Sequence, residues 1–122
     1  MSDRSPLATV QAQLDAYNAK NLDALLDTYA SDAEQYTVSG ELLAKGREQL
    51  KARFLTRFAE PDLHAQLVSR TVVGNFVVDT ELITRNLPEG LGQVELLCVY
   101  EVKAGRVCRA QFGTGAQRLI TR

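Results

Sequence analysis

Residues 63–85 read LHAQLVSRTVVGNFVVDTELITR, and this stretch decides the fold. Leu63, Ala65 and Leu67 alternate with His64 and Gln66, the two-residue period of a strand with one buried face. The run continues through Val72-Val73 to Gly74-Asn75. Both residues of that pair tolerate positive φ, so they close a two-residue hairpin. From Phe76 to Arg85 the chain is rich in Val, Ile and Thr, side chains that suit a pleated surface. Two long antiparallel strands joined by this hairpin are therefore expected.

Working outward toward the C-terminus, Pro88 to Gly92 reads as a loop, with one proline and two glycines among its residues. Val94 to Val102 is a third long strand, turned by Ala104-Gly105 into a last one, Arg106 to Phe112; Gly113 and Gly115 then release a short tail. Toward the N-terminus the period becomes helical. Ser5-Pro6 offers an N-cap with proline at the first helical position, and Leu7, Val10, Leu14 and Tyr17 form one stripe. Asn21 caps a second helix carrying Leu22, Leu25, Leu26 and Tyr29, which Ser31-Asp32 stops. A short β-favouring piece, Gln35 to Val38, turns at Ser39-Gly40. A third helix after Gly46 stacks Leu50, Phe54 and Phe58, and Pro61-Asp62 ends it. The sum is an α+β domain: three N-terminal helices packed on a strongly curved antiparallel sheet.

The 122 residues fit one domain, 1–122, with enough surface to bury a core unaided. A formal net charge of -1 with interspersed signs argues against a surface that tracks nucleic-acid phosphates. The most apolar stretch, Val94 to Val102, is broken by Glu95 and Glu101, so no membrane span is expected. No basic leader precedes an apolar stretch, and Cys98 and Cys108 are no disulfide framework; a cytoplasmic location is the expectation. One histidine and no Cys-x-x-Cys pair leave no metal cluster of known spacing. Gly-rich phosphate loops, a G-x-S-x-G elbow and a dinucleotide fingerprint are also missing, so no cofactor is expected.

Three segments, in this order, carry a resemblance: Tyr17 to Ala33 (YNAKNLDALLDTYASDA), Lys45 to Leu50 (KGREQL), and Val99 to Val102 with Gly105 to Val107. Together they resemble the SnoaL-like, nuclear-transport-factor-2-like superfamily across nearly the whole chain. The resemblance implies a cone-shaped fold, a homodimer through the outer sheet face, and a small apolar molecule held inside the cone. It implies functions as diverse as steroid Δ-isomerases, polyketide cyclases, dehydratases, non-catalytic binders and protein adaptors, so the fold alone does not choose. Isomerase chemistry needs a carboxylate base and a pair of donors for the enolate oxygen. On the family pattern the base position falls on Thr37, whose hydroxyl is no general base at neutral pH. The protonated-acid position falls on or beside Cys98, and the tyrosine position near Gln13, with Tyr17 one turn further on.

No catalytic residue is assigned on this basis. The ligand-contacting candidates are Tyr17, Tyr36, Thr37, Phe54, Phe58, Cys98 and Tyr100. His64 stands opposite Leu63 and Ala65 in the alternation and is expected to face solvent. Across the Ala104-Gly105 turn Cys98 should lie nearer Ala110 than Cys108, which disfavours a disulfide. Asp79, Glu81 and Glu95 are carboxylates inside strands; the parity that turns Val78, Thr80 and Leu82 inward places Asp79 and Glu81 outside. Turned inward instead, either would have a raised pKa and make a good base. The third helix carries Lys45, Arg47, Lys51, Arg53 and Arg57, a face that either attracts an acidic ligand or is a solvated flank diluted by Glu48 and Glu60. Two function classes remain open: an isomerase-, cyclase- or dehydratase-type enzyme, and a non-catalytic small-molecule or dimeric adaptor module.

Overall fold

The computed structural model describes residues 3–120. The chain opens on α1 (Pro6–Asn18), where the Ser5 side chain accepts from Ala8 N–H and Pro6 occupies the first turn. Its buried face is Thr9, Val10, Gln13, Leu14 and Ala16, whereas Leu7 is exposed. The inward stripe is thus rotated from the one the leucines suggest, and two polar side chains, Thr9 and Gln13, point toward the sheet. Thr9 meets its need by donating to the Gly105 carbonyl at 3.0 Å.

Asn21 caps α2 (Leu22–Asp27), accepting from Ala24 N–H. The helix ends two residues before Tyr29, which begins β1 (Tyr29–Thr37). Ser31-Asp32 therefore lies inside a strand and stops nothing. A short β2 (Leu42–Lys45), not expected from the sequence, folds back on β1 before α3 (Gly46–Phe58). The strands after α3 are β3 (His64–Val73), β4 (Phe76–Leu87), β5 (Gly90–Lys103) and β6 (Arg106–Leu119). The loop expected at Pro88 to Gly92 shrinks to a tight turn, since Leu87 and Gly90 are already register partners.

The last strand also runs past its glycines. Gly115 stays in the sheet because a Cβ there would come within 2.7 Å of the Glu95 carboxylate, which itself accepts from Ala116 N–H. These glycines make room for a neighbour rather than release the chain.

All six strands form one curved sheet, in the order β2-β1-β6-β5-β4-β3. Every pair is antiparallel except β1 with β6. That parallel pair arises because β1 reaches the far side of the meander through α3 and β3 to β5, a connection long enough for a crossover. Register shifts in β1, β3, β5 and β6 mark bulges, which increase local twist and help curl the sheet. One of them, at Glu101/Val102, pairs Cys98 with Phe112 and Tyr100 with Ala110. Both cysteines are free.

The helices close over the inner face, and Val10, Leu25, Tyr29, Leu50, Val77, Cys98 and Val107 are almost wholly buried between the layers. Asn18 fastens the end of α1 to the sheet: its side chain donates to the Ala65 carbonyl at 2.9 Å and accepts from Ala65 N–H at 2.8 Å. Asn18→Ala would leave both backbone groups unpaired, with an expected loss of about 1–3 kcal/mol in urea unfolding. An unchanged midpoint would show that water replaces the amide at no cost. No helix among the described residues is long and apolar enough to cross a membrane.

Candidate functional site

Between the helices and the inner face lies a cavity of about 730 Å³. Its floor is buried: Gln13 and Leu14 from α1, Tyr29 and Gln35 from β1, Glu81 and Ile83 from β4, and Val94 and Tyr100 from β5. Its rim is exposed, at Val38, Ser39 and Thr56. Arg53 and Arg57 from α3 and Arg85 from β4, all half-buried, also line the cavity. The wall is apolar in part, but three guanidinium groups and a carboxylate make it more polar than the sequence suggests.

Four of the seven expected ligand contacts line this space: Tyr17, Thr37, Phe54 and Tyr100. Phe58 stands behind the wall, edge-on to Tyr17 at 5.7 Å and stacked on Phe54 at 6.5 Å between centroids, so it positions both rings without facing the cavity. Cys98 is likewise behind the floor, fully buried. Burial, then the charge of Glu81, pushes its thiol well above the usual range, and it stays protonated.

Tyr36 is on the other side of the sheet. The alternation of β1 turns Gln35 inward and Tyr36 outward, where the Arg109 guanidinium lies 4.3 Å from its ring centroid and its hydroxyl donates to Glu34 at 3.0 Å. His64 is exposed on the sheet, as its alternation implies.

The largest correction concerns β4. Val77, Asp79, Glu81 and Ile83 face inward, and Val78, Thr80 and Leu82 face out. Asp79 is 0% exposed and tolerates this because Arg70, its cross-strand partner on β3, clamps it with Nε and Nη2 at 2.7 and 2.9 Å. Arg70 is anchored in turn, donating through Nη1 to Gln11 at 2.7 Å. Glu95, by contrast, is exposed.

Glu81 has no such clamp. It is 6% exposed, forms no salt bridge among the described residues, and lines the cavity. Its pKa is pushed up to about 7, chiefly by burial and then by the negative charge of Asp79, while the Cys98 thiol and Arg70 pull the other way. Tyr17 is pushed up to about 12, again chiefly by burial, so it remains a hydroxyl donor at all physiological pH. Burial also raises Tyr29 and Tyr100. Gln13 completes the floor, and its Oε1 is buried with no hydrogen-bond partner among the described residues. The side chains that the structure gathers here can thus exchange a proton at Glu81, donate a neutral hydrogen bond from the Tyr17 hydroxyl and accept one at Gln13 Oε1.

A SnoaL-like domain pattern matches residues 10–110 of the 122. The chain belongs to the SnoaL-like domain family. Solved structures with the same fold include a cystatin-fold protein from Novosphingobium aromaticivorans, 26% identical with a TM-score of 0.82, covering 89% of this chain and 97% of that one. A proposed polyketide cyclase from Sinorhizobium meliloti is 23% identical with a TM-score of 0.73, covering 86% and 93%. IdmH, a proposed polyketide cyclase from Streptomyces antibioticus, is 18% identical with a TM-score of 0.76, covering 91% and 92%. A comparison with curated proteins finds no match. In this SnoaL-like domain the cavity carboxylate is on β4, and Thr37 is on the wall, hydrogen-bonded to Ser39 and Glu41 N–H.

Proposed function

We propose that this SnoaL-like domain is an acid–base enzyme of the isomerase, cyclase or dehydratase type, acting on a small carbonyl compound held in the cavity. The observation that carries the reading is Glu81: a buried, unclamped carboxylate on the cavity floor with its pKa near 7. A base is most effective when its pKa lies near the working pH. The volume suits a ligand of ordinary drug-like size.

The step balances without a further reactant. The Glu81 carboxylate takes a proton from the carbon next to the substrate carbonyl, and the C–H electron pair becomes the enolate. Protonated Glu81 then returns the proton to another carbon, or to a leaving oxygen. Tyr17 on α1 supplies a neutral hydroxyl donor for the enolate oxygen, and the Gln13 amide one turn before it can donate only through Nε2–H. An adaptor module would need a filled cone, and the open cavity tells against that alternative.

Exchange of the α-protons of 2-tetralone in D₂O, followed by NMR, tests the reading with a generic ketone. Wild-type protein should accelerate exchange over buffer, with a limb rising to a plateau above pH about 7 as Glu81 ionises. Glu81→Gln should lose about 10²–10⁴-fold of that acceleration. No acceleration by the wild type, or equal rates in the variant, would sink the assignment.

A further inference from the structure

Among the described residues, one cation of the cavity has no counter-charge. Arg57 and Arg85 share Glu60, which accepts from Arg85 Nε at 2.7 and 3.0 Å, from Arg57 Nη1 at 3.3 Å and from Asn86 N–H at 2.9 Å. Those hydrogen bonds hold the Glu60 pKa below the usual carboxylate range although burial opposes it. Arg53 has no carboxylate within salt-bridge distance among the described residues. Its Nε donates to the Oε1 of buried Gln35 at 3.0 Å, and Gln35 Nε2 in turn meets the Tyr29 hydroxyl at 3.4 Å.

That chain fixes the plane of the guanidinium on the cavity wall and spends its Nε–H. Neither Nη of Arg53 has an acceptor among the described residues. An arginine oriented through Nε presents its two Nη groups side by side, the end-on fork that matches a carboxylate's two oxygens. Burial and the charge of Arg57 both pull the Arg53 pKa down, so the bare site lacks an anion that would offset both.

We infer that Arg53 forms an anion subsite, and that the molecule taken up by the cavity is a carboxylic acid whose carboxylate sits on the Arg53 fork while its apolar or carbonyl-bearing body extends to the floor. The inference rests on the acid–base reading of the cavity and names its substrate class. It also gives the basic face of α3 a division of labour: Arg53 turns into the cavity, whereas Arg47 and Lys51 are exposed.

Calorimetric titration with 2-naphthoate and its neutral isostere 2-naphthamide tests this. Wild-type protein should bind the acid about tenfold more tightly than the amide, the discrimination a charge-assisted fork gives. Raising salt should erode only the acid's affinity. Arg53→Gln should abolish the preference with the amide unaffected, and Arg53→Lys, which keeps the charge but not the fork, should retain part of it. Equal affinities in the wild type, binding of neither compound, or an undiminished preference in a folded Arg53→Gln protein overturns the subsite. Glu81-dependent exchange without acid preference overturns the subsite and leaves the acid–base reading standing. Acid preference without such exchange supports the subsite and removes that reading.

Discussion

Wild-type protein should lose up to about 3 kcal/mol of stability between pH 4.5 and pH about 7, and Glu81→Gln should lose none of that increment. The sign follows from proton counts. Unfolded, Glu81 titrates near 4.5; folded, it titrates near 7. Between those values the folded chain holds a proton that the unfolded chain has released, so each rise in pH favours unfolding. The contribution is fully present below 4.5 and gone above 7. Every other titratable side chain is common to both proteins, so the difference between them isolates this one. Urea midpoints at pH 5 and pH 8 for both chains measure it: the variant should gain on the wild type as pH rises. Parallel behaviour would mean that Glu81 is solvated, and the proton-transfer role would lose its physical basis. The same instability at neutral pH is a cost that a purely structural side chain has no reason to impose.

Much of the fold is legible in the sequence because its signals are local. The Gly74-Asn75 hairpin, the Ser5 and Asn21 caps and the Leu50–Phe54 stripe each depend on a few adjacent residues, and each forms as read. The pairing of β1 with β6 is invisible for the opposite reason: its partners are more than 70 residues apart, as with Tyr29 and Val107. Tyr29 reads equally well as the last residue of a helical stripe, and only tertiary pairing moves it into a strand.

The site was harder to read, and β4 shows why. In Phe76-Val77-Val78-Asp79-Thr80-Glu81-Leu82-Ile83 both faces carry apolar residues, so alternation alone cannot choose between them. Charge then favours the wrong choice, because a carboxylate is usually the wet position. The deciding residue is Arg70, which lies nine positions earlier than Asp79 and becomes its cross-strand neighbour only through the register of the hairpin, three rungs beyond the Val73–Phe76 pair that flanks the turn. Tyr36 fails in the same way: one residue of parity separates it from Gln35, and with it the inner face from the outer.

Arg70→Met should therefore destabilise the protein by about 3–5 kcal/mol, the cost of leaving a buried charge without its partner. Asp79 is 0% exposed and its two oxygens take both hydrogen bonds from Arg70, so no other donor among the described residues can solvate it. Removing the cation also frees the Gln11 acceptor, a smaller loss near the surface. The double variant Arg70→Met, Asp79→Leu should recover most of the deficit, because a buried ion pair contributes little net stability over apolar groups of similar size. Thermal and urea unfolding of the two single variants and the double would give the coupling directly. A deficit below about 1 kcal/mol in Arg70→Met, the range of exposed pairs, would show that the pair is wet and that the inner face of β4 is open to water. Recovery in the double variant has a functional corollary. Asp79 raises the Glu81 pKa through its charge more than Arg70 lowers it, so replacing both should lower the pH at which proton exchange reaches half its plateau, coupling the clamp that permits this inward-facing strand to the acid–base group two residues further along it.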